Sequence, residues 1–318
     1  MSVIAARPRR RVAVLTGGES AEREISLASG AAVATGLATA GHQVTAMDPA
    51  ERCLTDIDWR AFDAAFIALH GGAGEDGTIQ HQLDDLEVPY TGSGPEACRL
   101  AMSKCAAKQS FAAGGVPTPN FVCFDADIPP RILKARVAHL GYPLIIKPDG
   151  QGSSLGVGIA EDTGQLAARI DEAACYGRLL MAERLVVGRE FTVAVLGRQP
   201  LPLLEVIAPD RIFSFDAKYQ SSLTEYRFDF RLASRARTAV AGAALAATRA
   251  IGTSGLARVD LILDETGQAW VLEVNTSPGM TTRSLAPLAA ARGGWEMSAL
   301  VHLLVQDCLT AAGVVRTG

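Results

Sequence analysis

The chain has 318 residues, 48% hydrophobic and 20% charged, with 30 Lys and Arg against 34 Asp and Glu and a formal net charge of −4. That balance speaks against a nucleic-acid-binding surface, and no apolar run reaches the about 20 residues a membrane span needs. The length allows two or three packed lobes, and the 6 cysteines, none in a Cys-x-x-Cys pair, read as free thiols in a reducing cytoplasm.

The basic run RPRRR (7–11) reads as a solvated tail, and no apolar segment of a signal peptide accompanies it. RVAVLTGG (11–18) is an apolar strand stopped by a glycine turn. SAEREISLASGAAVATGLATAG follows as a helix capped by Ser20. HQVTAMD (42–48) and AAFIALH (64–70) read as further buried parallel strands, so the first lobe is doubly wound α/β and ends near YTGSGPEA (90–97). A single helix is expected over 98–115, stopped by Gly114, Gly115 and Pro117. NFVCF (120–124), a helix over 129–140, YPLIIKP (142–148) and the loop DGQGSSLGVG (149–158) come next. RLLMAERLV (178–186), EFTVAVLG (190–197) and LPLLEVIA (201–208) are strands with little helix between them, an antiparallel trend. Residues 209–233 are polar, aromatic and irregular, and a loop this long is expected of a lid. After a helix over 236–252, GLARVDLILD (255–264) and AWVLEVN (269–275) form a hairpin around ETGQ. A last helix spans about 295–312.

If Asp264 faces Ala269 across that turn, Asp260 faces Glu273 and Arg258 faces Asn275, all on one face of the sheet. Facing carboxylates repel, and a divalent cation between them removes the cost. Asp, Glu and Asn oxygens are hard donors suited to Mg²⁺ or Mn²⁺. The competing reading is a solvated face on which Arg258 pairs one acid. Lys147 ends an apolar strand, where a lysine can simply snorkel. The glycine- and serine-rich loop after it offers backbone N–H groups to polyphosphate. It is not a Walker loop, and GGESAE is not a dinucleotide fingerprint. Lys104, Lys218, Glu183 and Glu190 are compatible with ordinary surface charge or with nucleotide contacts.

In chain order, GGESAEREISLASG, ALHGGAGEDGTIQ, PYTGSG, MSK, IIKPDGQGSSLGV, EFTVAVLG, DAKYQS, ARVDLILD and LEVNTSPGMTTRSLAP resemble the D-alanine–D-alanine ligase family of the ATP-grasp superfamily. The resemblance runs from Val12 to the last helix. It implies an α/β fold, α+β in the ATP-binding lobes: an N-terminal Rossmann-like lobe (1–98), a central ATP-grasp lobe (99–187) and a C-terminal ATP-grasp lobe (188–318) with a lid loop at 209–233. It implies ATP-dependent joining of two D-alanines through a D-alanyl phosphate, for peptidoglycan, by a cytoplasmic homodimer.

Residue roles follow from the same resemblance. Lys104, Lys147 and Lys218 would meet the phosphates of ATP. Glu183 and the backbone near Val186 would hold adenine, and Glu190 the ribose, with Ser154, Arg184 and Phe213 as further nucleotide contacts. Asp260, Glu273 and Asn275 would bind two Mg²⁺ ions, Mn²⁺ being an alternative. Glu22 would bind the ammonium of the first D-alanine, near His70, and link through Ser153 and Tyr219 to the closed lid. Arg258 and the Gly279 N–H would stabilise the oxyanion. Ser284 and the Leu285 N–H would hold the second substrate's carboxylate at a helix N-terminus.

Two departures stand out. Ser103 occupies a position where the family often has an acid, and RFDFRLAS replaces a proline-containing stretch after the lid motif. Tyr219 matches the dipeptide-forming members. An ATP-grasp ligase with another second amino acid, and a non-catalytic nucleotide-binding regulator, remain as alternatives.

Overall fold

The computed structural model describes residues 9–152, 155–208 and 224–314. Three sheets carry these residues. In the first, β1 (Arg11–Leu15) lies between parallel partners β2 (Gln43–Met47) and β3 (Ala64–Ile67), with helix α1 (Arg23–Thr39) crossing over from β1 to β2. Val12, Val14 and Phe66 pack on Val33 and Leu37 of α1, while Leu15, Ile67 and Leu69 face a second cluster with Leu83. β1 and β3 are therefore buried on both faces. β2 is not: its residues are exposed or half-buried, because it forms the sheet edge. Ser20 also departs from expectation. The N-cap of α1 is Glu22, and the Ser20 hydroxyl instead donates to the His70 carbonyl at 2.5 Å.

Helix α2 (Thr78–Asp85) leads to α3 (Pro95–Met102) and α4 (Lys104–Ala113). The single helix expected over 98–115 is thus two helices, broken at Ser103, whose backbone is extended and whose hydroxyl caps α4 by accepting the Ala106 N–H at 3.1 Å.

The second sheet is antiparallel, in the order β4 (Phe121–Asp125), β7 (Leu179–Arg184), β5 (Leu144–Pro148), β6 (Gly158–Ala160). Helices α5 (Pro130–Val137) and α6 (Leu166–Ala174) cover one face through Leu133, Val137, Leu166 and Ala173. α6 escaped the sequence pattern because it buries only Leu166 and Ala173, too few to mark a period.

In the third sheet β8 (Gly188–Leu196) is flanked by β10 (Leu204–Ile207) and β12 (Leu256–Asp264); β11 (Glu225–Arg227) and β13 (Ala269–Asn275) form the edges, and the short β9 (Gln199–Pro200) pairs with β8. Helix α7 (Ser234–Ile251) presents Val240, Ala244 and Ala247 to Val193, Val259 and Val271, with Phe111 of α4 in the same cluster. Helices α8 (Leu285–Arg292) and α9 (Met297–Ala311) follow, and α9 returns Leu300, Val301 and Val305 to the first sheet. None of the described helices is long and apolar enough to cross a membrane.

The hairpin register agrees with expectation at its far end. Arg258 faces Asn275 and Asp260 faces Glu273. Near the turn it is one residue off: Leu263, not Asp264, faces Ala269, and a bulge at Leu272 absorbs the difference.

The free-thiol reading needs correction for two of the six cysteines. Cys105 at the start of α4 and Cys123 in β4 form a disulfide, their Cα atoms 6.2 Å apart. Helix and strand meet only in the folded chain, so a sequence separation of 18 gave no sign of the pairing. Cys53, Cys98, Cys175 and Cys308 are free. Thiol titration of the denatured, unreduced protein is expected to find those four thiols, and two more after reduction.

Candidate functional site

A cavity of about 700 Å³ opens where the three sheets converge. Glu22 and His70 line it from the first unit, Lys104 from the start of α4, Arg258, Glu273 and Asn275 from the hairpin, and Gly279, Ser284 and Leu285 from the segment that follows. These nine expected residues, distant in sequence, share one space.

Asp260 lies in the same part of the third sheet but is 8% exposed. Arg258 grips it from two residues away, with Nε 3.0 Å from Oδ1 and Nη2 2.9 Å from Oδ2, and Thr192 of β8 donates to Oδ1 at 2.6 Å. The pairing of Arg258 with one acid is therefore real, yet it leaves acceptor capacity on Oδ2. Glu273 faces Asp260 across the hairpin, and Asn275 Oδ1 accepts the Ser277 N–H at 2.8 Å. Among the described residues no three His, Cys, Asp or Glu side chains gather to hold a metal. Two carboxylates and one amide oxygen on a common face are nonetheless a hard-oxygen donor set that fits Mg²⁺ or Mn²⁺.

The turn after β13 is docked onto the first unit. The Ser277 hydroxyl donates to the Leu69 carbonyl at 2.9 Å, and His70 Nδ1 lies 3.1 Å from the Ser277 carbonyl. A carbonyl only accepts, so Nδ1 carries the proton, and Nε2 accepts from the Ser29 hydroxyl at 2.8 Å. The Ser29 oxygen in turn accepts the Met280 N–H at 3.1 Å. Ser29 is fully buried, so its partners have no water to replace it. Gly279 sits inside this clamp, and a Cβ there would come within 2.8 Å of Ser284 Oγ. Ser284 is the N-cap of α8, with its hydroxyl engaged by Thr281. Leu285 opens the helix, where unpaired N–H groups and the dipole favour an anion.

Lys104 is the first residue of α4, and its ammonium reaches the Gln151 carbonyl at 2.5 Å. Asp149 fixes this junction. It accepts the Cys105 N–H at 2.6 Å and the Ser103 hydroxyl at 2.8 Å, joining the glycine-rich loop to the N-terminus of α4. Ser103 therefore supplies both a cap and a loop contact. Gly152 brings the loop against Glu22: a Cβ there would lie 3.4 Å from Glu22 Oε1.

Lys147 and Glu183 do not line the cavity. They pair across adjacent strands β5 and β7, Nζ to Oε1 at 3.1 Å, and both are buried. Lys108, which no motif singled out, binds the other oxygen of Glu183 at 2.5 Å. Burial pushes the Glu183 carboxyl upward, but Lys108 and Lys147 outweigh it and hold the group below the usual range. Arg184 is exposed at the end of β7, and Val186 is half-buried just beyond. Glu190 pairs with Ile262 and so shares a face with Thr192 and Asp260. Ser153, Ser154, Phe213, Lys218 and Tyr219 lie outside the described residues.

The stretch RFDFRLAS (227–234) is anchored by its aromatic residues. Phe228 packs on the cluster around α9 and Arg292, and Asp229 pairs with Arg292 at 2.6 Å. Phe230 meets Phe191 edge to face at 5.3 Å, between Arg189 and Arg237. These contacts fix the segment to the third sheet and to α8.

Removal of the Ser29 hydroxyl leaves the Met280 N–H and His70 Nε2 without partners. Ser29→Ala is expected to lower stability by about 1–3 kcal/mol. Denaturant unfolding of the variant beside the parent protein measures that loss.

Two family profiles match the chain: one described as "D-ala D-ala ligase N-terminus" over residues 44–93, and one as "D-ala D-ala ligase C-terminus" over 111–306. The sequence is 44% identical over 299 residues to the D-alanine–D-alanine ligase of Alcanivorax borkumensis, covering 94% of each chain. It is 42% identical over 303 residues to that of Pseudomonas entomophila, covering 95% of this chain and 94% of the other. The crystal structure of the D-alanine–D-alanine ligase from Bacillus anthracis complexed with ATP has a TM-score of 0.84 and 27% identity, covering 96% of this chain and 99% of that one. With profiles for both halves, an ATP-grasp fold and relatives matched nearly end to end, this chain belongs to the D-alanine–D-alanine ligase family.

Proposed function

We propose that this protein joins two molecules of D-alanine into D-alanyl-D-alanine, cleaving ATP to ADP and phosphate, to supply a peptidoglycan precursor. The observation that carries this reading is the shared cavity, where a carboxylate at a helix start, an arginine, a clamped glycine turn and a second helix start surround one space. Relatives that match the chain nearly end to end bear this activity in their names.

In the first half-reaction the carboxylate of one D-alanine attacks the γ-phosphorus of ATP. The bond to the bridging oxygen breaks, and ADP departs from D-alanyl phosphate. Glu22 holds the substrate ammonium beside His70. Lys104 and Lys147, with Lys218, neutralise phosphate charge as it shifts. Asp260, Glu273 and Asn275 would hold Mg²⁺, or Mn²⁺, which would offset phosphate charge when bound. Val186 and Glu183 meet adenine, Glu190 the ribose, and Ser154, Arg184 and Phe213 complete the nucleotide site.

In the second half-reaction the amine of the other D-alanine, having lost a proton to solvent, attacks the acyl carbon, and phosphate leaves. Arg258 and the Gly279 N–H stabilise the tetrahedral oxyanion. Ser284 and the Leu285 N–H hold the second carboxylate. Ser153 and Tyr219 link Glu22 to a lid within 209–233 that keeps water from the acyl phosphate. The lobes of this enzyme divide at 1–98, 99–187 and 188–318, and it works as a cytoplasmic homodimer.

With D-alanine, ATP and Mg²⁺, phosphate release is expected to keep step with dipeptide formation, and other second amino acids are expected to turn over more slowly. No turnover with D-alanine overturns the proposal. Glu273→Gln is expected to lower kcat by about 100-fold at ordinary Mg²⁺, and unchanged activity removes Glu273 from the metal site.

A further inference from the structure

One buried charge has no part in this scheme. Lys108 lies one turn beyond Lys104 on α4 and is 0% exposed. Its ammonium is 2.5 Å from Glu183 Oε2, while Lys147 Nζ is 3.1 Å from Oε1. Lys108 also donates to Thr118 Oγ1 and to the Pro119 carbonyl, and it sits 5.4 Å from the centre of the Phe121 ring.

One carboxylate thus stands between two ammonium groups. The trio carries a surplus positive charge in a place nearly closed to water, where unbalanced charge is costly. An anion arriving on the Lys147 side completes the balance. Lys147 keeps 8% of its surface exposed and Lys108 keeps none, so Lys108 cannot touch a nucleotide and acts only through Glu183.

We propose that Lys108 is a positioning residue for nucleotide binding: as the permanent counter-ion of Glu183, it frees Lys147 to meet the phosphates of ATP. The proposal rests on the ATP reading above and deepens it. Without Lys108, Glu183 has Lys147 as its remaining ammonium partner and holds it back from the phosphates. The charged groups facing Lys108 are Glu183 from β7 and, across that carboxylate, Lys147 from β5; the chain around β4 contributes the neutral Thr118, Pro119 and Phe121. Burial pulls the Lys108 ammonium down to about 8, with Glu183 opposing and Lys147 adding to the fall. The proton is therefore held at pH 7 and lost as pH rises through that value, which weakens ATP binding on the alkaline side.

The test is steady-state kinetics with ATP and D-alanine varied separately, on the wild-type enzyme and on Lys108→Met and Lys108→Arg. Lys108→Met is expected to raise the KM for ATP at least tenfold while kcat and the KM for D-alanine stay within about threefold. Lys108→Arg, which keeps the charge beside Glu183, is expected to recover most of that loss. The wild-type KM for ATP is expected to climb between pH 7 and 9, a measurement that needs no variant to fold. A Lys108→Met enzyme with unchanged KM for ATP, or a flat wild-type profile over that range, overturns the proposal. Wild-type enzyme that turns over no ATP with D-alanine instead overturns the functional reading beneath it.

Discussion

Two carboxylates facing each other across the β12–β13 pair set the terms for everything around them. Asp260 and Glu273 repel, and a sheet tolerates such a pair only when positive charge is brought to it. In this protein Arg258 comes from the same strand as Asp260 and grips it with its guanidinium, with Thr192 supporting from β8. The arrangement holds Asp260 in one orientation while leaving an oxygen able to accept a cation. The acids are thus held ready, and the third sheet folds around a charge-compensated face.

The remaining chemistry is delivered to that face by docking. The turn following β13 contacts the first unit through Leu69, His70 and Ser29. Each contact is a backbone or side-chain hydrogen bond, so Gly279 keeps a fixed relation to the first unit, where Glu22 begins α1. On the opposite wall Asp149 ties the glycine-rich loop to α4, and the disulfide between Cys105 and Cys123 ties α4 to β4. Lys104 is therefore held from two directions.

Much of this was legible in the sequence. Alternation between short apolar strands and helices located the first sheet, and Asp260 of β12 with Glu273 and Asn275 of β13 located the sheet face beside the cavity. What escaped did so for identifiable reasons. Ser103 breaks a helix without Gly or Pro, so α3 and α4 looked continuous. Ser20 looked like a cap, but its hydroxyl turns to the His70 carbonyl, a tertiary partner no local pattern announces. Lys108 drew no notice because lysines on helices are usually surface charge, and only the fold brings Glu183 to it. Lys104 and Lys108 do stand four apart on one helix face, the one signal that linked them. Asp149 passed as a turn residue before a glycine, although its carboxylate accepts the N–H of Cys105, 44 positions earlier in the chain.

The bulge at Leu272 has a further effect. Up to that point the odd-numbered residues of β13, Ala269 and Val271, point into the core beneath α7; beyond it the even-numbered Val274 does so. One extra residue has inverted the phase of the strand. In an unbroken strand Glu273 would follow Val271 into the hydrocarbon interior, and Asn275 would follow it there. The irregularity is the device that turns an apolar ribbon inside out within a single step, so that one strand serves as core at one end and as cavity wall at the other.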